Sequence, residues 1–241
     1  MFIGSSGVAF AKPLVVATYY VPLMSESSDK GLFVDLTKEI ARRNKLDIKI
    51  IVSPANQVFL DFANGKVDGF FPALDVNVPT GAMATTPYYF KVDYAFYKKD
   101  KPVRSLTALR GKNVGLTFRY PYSRLLMEDK AIQFAYAKSD IDNMKKLDSG
   151  TLDAFVAEEQ SGLEAMKLAK AKDITFDKKA PLSVQNVYYA FQDSNEGRRL
   201  QKIFSVEIER LRKEGKLKTL VGDSCSLENI DFASHSPKIS K

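Results

Sequence analysis

The sequence predicts an α/β fold of two lobes, each a mixed or mostly parallel sheet flanked by helices, joined by a two-strand hinge. Three observations predict it. The turn Gly65-Lys66-Val67-Asp68-Gly69-Phe70 returns as Gly150-Thr151-Leu152-Asp153-Ala154-Phe155. Each copy ends an amphipathic stretch and opens an apolar run of strand character, the mark of two similar α/β units. Short β-branched runs also alternate with stretches of three- and four-residue apolar spacing, the pattern of parallel sheets with helices on both faces. Finally, two aromatic and apolar runs at 94–97 and 187–191 lie where the chain crosses between lobes and returns. Two lobes imply a cleft between them.

The first run, 14–19, is a strand, followed by a loop through Pro22 and the polar stretch 25–30. Residues 33–43 form a helix with Leu36, Ile40 and Ala41 on one face and Asp35 near its positive end. Residues 47–52 give a second strand, 54–64 a helix stopped by Gly65, and 70–74 a third strand leading into a loop with Asp75, Asn77, Pro79 and Gly81. In the second series 114–118 is a strand, 123–136 a helix, and 141–147 a short helix stopped by Gly150. A strand at 155–157 and a helix at 162–172 follow. The stretch 195–215 is a long helix with Leu200, Phe204, Ile208 and Leu211 as its dry stripe, packed on the first lobe. These assignments give lobe 1 residues 12–99 and 192–225, and lobe 2 the inserted segment 100–191.

At both ends the chain changes character. Gly7-Val8-Ala9-Phe10-Ala11 followed by Lys12 resembles the end of a secretory signal, with Ala9-Phe10-Ala11 as an A-x-A cleavage site. The preceding residues are few and carry no basic region, so the start is truncated or mis-set, or the stretch is an apolar arm. Residues 1–11 are expected to be a signal-peptide remnant, which places the protein in the periplasm, and 226–241 a polar tail.

The 241 residues are 45% hydrophobic and 27% charged, ordinary for a soluble globular chain. The formal charge of +7 is spread out, and no basic groove with exposed aromatics is legible, which argues against nucleic acid as a partner. No stretch approaches the length needed to cross a bilayer. Cys225 is the sole cysteine, and His235, the sole histidine, lies in the tail. These counts disfavour disulfides, a histidine metal cluster, and histidine-based nucleophilic catalysis. With no Walker loop or dinucleotide fingerprint, neither a cofactor nor a metal is expected.

Ligands of open α/β sheets sit beyond the carboxyl ends of the strands, and the candidate residues are therefore strand-end residues. Tyr19 and Tyr20 follow the first strand, and Asp75 and Asn77 follow the third. In lobe 2 the corresponding run is Arg119-Tyr120-Pro121-Tyr122-Ser123. Arg119 offers a planar fork of donors suited to a carboxylate. Ser123 is placed to cap the next helix, whose free amides attract an anion. Alternatively, Arg119 pairs with a surface acid and the tyrosines complete a core. Glu158, near the end of its strand, holds an ammonium group if it faces the cleft; facing outward it is one acid among 29.

Taken in order, Gly31-Leu32-Phe33-Val34-Asp35-Leu36, Asn64-Gly65-Lys66-Val67-Asp68 and Thr86-Pro87-Tyr88-Tyr89 resemble the periplasmic solute-binding proteins of ABC transporters, specifically the polar amino-acid-binding family. Leu109-Arg110-Gly111-Lys112-Asn113-Val114-Gly115, Leu152-Asp153-Ala154-Phe155 and Val187-Tyr188-Tyr189-Ala190-Phe191 extend the likeness over about 13–221. The resemblance implies a type II two-lobed fold that closes over a small polar or amino-acid-like solute and delivers it to a membrane permease complex. It also implies a monomer without catalytic activity. By the same resemblance, Glu158 matches the acid that holds a ligand amine, and Tyr19-Tyr20 fall where a ring stacks on the ligand. The arginine that clamps the ligand carboxylate in the family is missing from Asp75-Val76-Asn77-Val78-Pro79-Thr80-Gly81. Either Arg119 supplies that charge from the other lobe or the ligand has no such carboxylate. Two alternatives stay open: a ligand-sensing accessory protein of the same fold, and a dehydratase-like enzyme using Glu158.

Overall fold

The computed structural model describes residues 13–225, so the expected signal remnant at 1–11 and the tail at 226–241 lie outside the described residues. In chain order the elements are β1 (Leu14–Thr18), α1 (Leu32–Arg43), β2 (Ile48–Val52), α2 (Ala55–Ala63), β3 (Gly69–Leu74), β4 (Met83–Ala84) and β5 (Tyr89–Lys98). They continue with β6 (Asn113–Thr117), α3 (Arg124–Glu128), β7 (Gln133–Ala137), α4 (Asp140–Asp148), β8 (Ala154–Glu158), α5 (Glu159–Ala169) and β9 (Ile174–Thr175). Then come β10 (Ser183–Phe191), α6 (Asn195–Lys213) and α7 (Lys216–Val221).

The strands run side by side in the order β2-β1-β3-β10-β5-β8-β6-β7. β1 lies parallel between β2 and β3, and β6 lies parallel between β7 and β8, so the same three-strand unit occurs twice. β10 closes the first unit antiparallel to β3, and β5 closes the second antiparallel to β8. The two lobes join where β5 and β10 pair with each other, Tyr89–Asp93 against Ser183–Val187. A sheet carries side chains alternately to its two faces. Accordingly, Val16 and Phe71 enter one core of lobe 1, with Leu36, Tyr189 and Phe204, while their neighbours Ala17 and Phe70 enter the other, with Val58. Lobe 2 repeats the arrangement, with Phe155 and Met144 on one face and Val156 and Leu116 on the other.

The doubled turn explains itself in hydrogen bonds. Gly65 (φ 65°) and Gly150 (φ 80°) take the left-handed conformation that ends α2 and α4, a conformation glycine adopts without a Cβ penalty. Next in each copy, an aspartate stitches the turn to the first strand of its own lobe. The Val15 amide donates to Asp68 Oδ2 at 2.7 Å, and the Asp68 amide returns a bond to the Val15 carbonyl at 2.8 Å. In lobe 2 the Asn113 amide donates to Asp153 Oδ2 at 2.8 Å, and the Asp153 amide to the Asn113 carbonyl at 2.9 Å. The repeated aspartates therefore fix strand pairing.

One expected element is corrected. Residues 123–136 do not form a single helix: α3 spans only Arg124–Glu128, and β7 takes Gln133–Ala137. Asp129 leaves helical geometry (ψ 94°) and spends its carboxylate on the Ala131 amide and the Arg110 guanidinium. The following residues pair in parallel with β6, a long-range partner that outweighs their helical propensity. Likewise, the chain beyond Gly215 makes one more helix, α7, which buries Leu217 and Val221 in the first core of lobe 1.

Candidate functional site

A cavity of about 530 Å3 opens between the lobes. That lies within the range of small-molecule sites, roughly 300–1,000 Å3. Its walls are the carboxyl ends of strands from both halves. Lobe 1 contributes Tyr19 and Tyr20 after β1, Val52–Ala55 after β2 and Pro72 and Leu74 from β3. Lobe 2 contributes Phe118 to Pro121 after β6, Glu158 at the end of β8 and Ser161 in α5. Tyr89 and Lys91 of β5 and Val187 of β10 line it where the lobes join.

Of the nine residues expected at the site, Tyr19, Tyr20, Arg119, Tyr120 and Glu158 line this cavity. Tyr19 is turned inward, its hydroxyl donating to the Pro72 carbonyl at 3.0 Å, and burial raises its phenol well above the ordinary range. Tyr20 is 61% exposed at the rim. Burial also raises the phenol of Tyr120, with the Asp140 charge adding to the effect. Arg119 sits on an exposed turn in the left-handed region (φ 68°), its guanidinium carbon 5.2 Å from the Phe118 ring centre, and forms no salt bridge among the described residues.

The other four lie outside this lining. Asp75 accepts from the Asn186 amide (2.7 Å) and the Tyr188 hydroxyl (2.7 Å), so its carboxylate ties the loop after β3 to β10 and does not line the cavity. Asn77 turns back to accept from the Leu74 amide at 2.7 Å. Tyr122 is buried behind the wall, its hydroxyl accepting from the Thr117 amide at 2.7 Å. Ser123 does cap α3, accepting from the Leu126 amide at 3.3 Å, but this helix has only five residues and Ser123 stands outside the lining.

Glu158 is the most informative group. It is 8% exposed and caps α5, with Oε2 accepting from the Ser161 amide at 2.9 Å. Oε1 accepts from the Tyr89 hydroxyl at 2.7 Å. Among the described residues no cation comes within salt-bridge distance of it. Burial pushes its carboxyl above the ordinary range, partly offset by the bonds from Ser161, Tyr89 and Gln160 and by the charge of Lys91. Lys91 is the charged cavity-lining residue that the sequence reading did not single out. It lines the cavity, is half-buried, and pairs with Asp93, which is fully buried and also accepts from Ser183 Oγ at 2.8 Å. Lys91 and Asp93 stand two apart, on one face of the strand, a spacing that carries a signal only once β5 is known to start at Tyr89. Among the described residues no cluster of three or more His, Cys, Asp or Glu is arranged to hold a metal, and no helix is long and apolar enough to cross a membrane.

No family model matches the chain, and no curated protein matches it. Solved structures do. A histidine kinase sensor domain with similarity to periplasmic binding proteins superposes with a TM-score of 0.69 at 20% identity, covering 87% of this chain and 94% of that one. The GluR0 ligand-binding core from Nostoc punctiforme, in complex with L-glutamate, gives 0.71 at 18% identity over 86% and 97%. The substrate-binding protein of an amino-acid ABC transporter gives 0.62 at 18% identity over 88% and 99%. At these identities the likeness is one of fold, and the chain has the two-lobed, type II periplasmic-binding-protein fold.

Proposed function

We propose that this protein is an extracytoplasmic, non-enzymatic solute-binding component that closes over a small polar or amino-acid-like solute for ABC-type uptake. The expected lobes, 12–99 with 192–225 and 100–191, would move about hinge points inside β5 and β10, since Tyr189 and Phe191 pack in the lobe 1 core and Tyr94 and Phe96 in that of lobe 2. The carrying observation is the interlobe cavity walled by strand ends of both halves, with Glu158 buried in it and, among the described residues, no cation within salt-bridge distance. Closure suits such a site because the two walls meet only when shut. The fold it shares with the substrate-binding protein of an amino-acid transporter supports delivery to a permease. Likeness to a kinase sensor domain favours a second reading, in which the same binding event signals to a membrane partner. Neighbouring permease and ATPase genes would support uptake, and a neighbouring kinase gene would support sensing.

The test is native mass spectrometry of the purified protein before and after mild denaturation, followed by a thermal-shift panel of amino acids, amines and small acids. A ligand that binds only the folded state stabilises it by about 2.7 kcal/mol at a hundred times its Kd. A retained solute, or a single chemical class that raises the melting temperature, is the expected result. A protein that carries nothing and responds to none of the panel would refute solute binding.

A further inference from the structure

We infer that the ligand is an organic amine with an apolar, ring-bearing body and no carboxylate, its ammonium held by Glu158. This rests on the solute-binding reading above and narrows it. The charged side chains lining the cavity are Lys91, Arg119 and Glu158, and each has a different standing. Lys91 is committed to Asp93, whose side chain is fully buried. Drawing Lys91 away to a ligand carboxylate would strand a buried charge, so its positive charge is not free to clamp an acid.

Glu158 is in the opposite position. Its two oxygens accept from the Tyr89 hydroxyl and from the Ser161 and Gln160 amides. An ionised carboxylate has about four acceptor sites, so capacity for a further donor remains. A ligand ammonium supplies both that donor and the missing opposite charge.

Outside the strands that join the lobes, where Lys91 stands, lobe 1 puts no charged side chain on the cavity wall: its contribution is rings, apolar groups, prolines and Ser53. A carboxylate pressed against that wall on closure would lose water without gaining a charged partner. The rings of Tyr19, Tyr20, Phe118 and Tyr120 instead offer apolar area, and their faces attract a cation. Arg119, the remaining cation, lies on the exposed rim over Phe118, where solvent and salt screen it. It and the head of α2 beside Ser53 are the places where an acid would have to bind if the inference were mistaken.

Titration calorimetry with three probes of matched body decides the matter: phenethylamine, L-phenylalanine and 3-phenylpropionate. Phenethylamine is expected to bind about tenfold or more tightly than L-phenylalanine, and 3-phenylpropionate to give no measurable heat. Tighter binding of L-phenylalanine, especially if lost in Arg119→Ala, would overturn the inference, as would any binding of 3-phenylpropionate. If none of the three binds while a panel solute other than a ring-bearing amine does, the ligand class is overturned and the solute-binding function stands. If no solute binds at all, both fall.

Discussion

Replacing Glu158 by glutamine is expected to weaken amine binding by about ten- to a hundredfold, because a hydrogen bond to a charged group contributes roughly 1.5–3 kcal/mol. Glutamine keeps the shape and one acceptor, so α5 retains its cap from Ser161 and the apo protein should melt close to wild type. The wild-type pH profile carries the same information. Burial raises the Glu158 carboxyl, and only its ionised form attracts an ammonium. Affinity should therefore be flat above that raised pKa and fall as pH drops through it, while Glu158→Gln shows no such fall.

Stability should move the other way in the same window. A carboxyl whose folded pKa lies above its unfolded one makes the folded state bind more protons. Unfolding free energy then rises as pH falls through the folded value. Asp140, at the head of α4 and raised to about 6 chiefly by burial, acts in the same direction. The groups facing Glu158 are Tyr89, Lys91 and Asp93 of β5, Asp140, Tyr120, and the Gln160 and Ser161 amides. Thermal melts and calorimetry along one series of falling pH should show apo stability gained as amine affinity is lost. A parallel loss of both would remove Glu158 from the role given to it.

Lys91→Met should lower stability by about 3–5 kcal/mol, since removing one partner of a buried pair leaves Asp93 charged and unpaired. For a chain of this length the melting temperature should fall by on the order of 10 °C. Adding Asp93→Asn to Lys91→Met should recover much of the loss, because the amide oxygen still accepts from Ser183 and no charge is stranded. If Lys91 were instead reserved for a ligand carboxylate, Lys91→Met would cost little stability and much affinity. The two variants, melted side by side, separate a hinge-strand ion pair from an anion clamp.

What was legible in the sequence was what local chemistry decides. Gly65 and Gly150 end helices because of their own conformational freedom, and Asp68 and Asp153 are legible as parts of a repeated turn, although their bonds reach first strands 53 and 40 residues earlier. Strand-end logic likewise brought Tyr19, Tyr20, Arg119, Tyr120 and Glu158 to one cavity. It failed where side-chain direction depends on a distant partner. Asp75 is claimed by Asn186 and Tyr188, more than a hundred residues on, and the Tyr122 hydroxyl is drawn inward to the Val156 carbonyl of β8. The start of β5 was illegible for a related reason. Lys91 and Asp93 look unlike a buried strand until each is seen to neutralise the other, and only pairing with β10 extends the strand back to Tyr89. β7 was hidden in the same way, its strand state set by β6.

The most direct measurement is a crystal structure of the protein with its co-purified solute or with phenethylamine. The ligand nitrogen is expected between the lobes, within hydrogen-bond distance of the Glu158 carboxylate, with the ligand body against the aromatic walls. A ligand bound elsewhere, or one in the cleft that turns a carboxylate toward Arg119 and leaves Glu158 without a cation, would contradict the account.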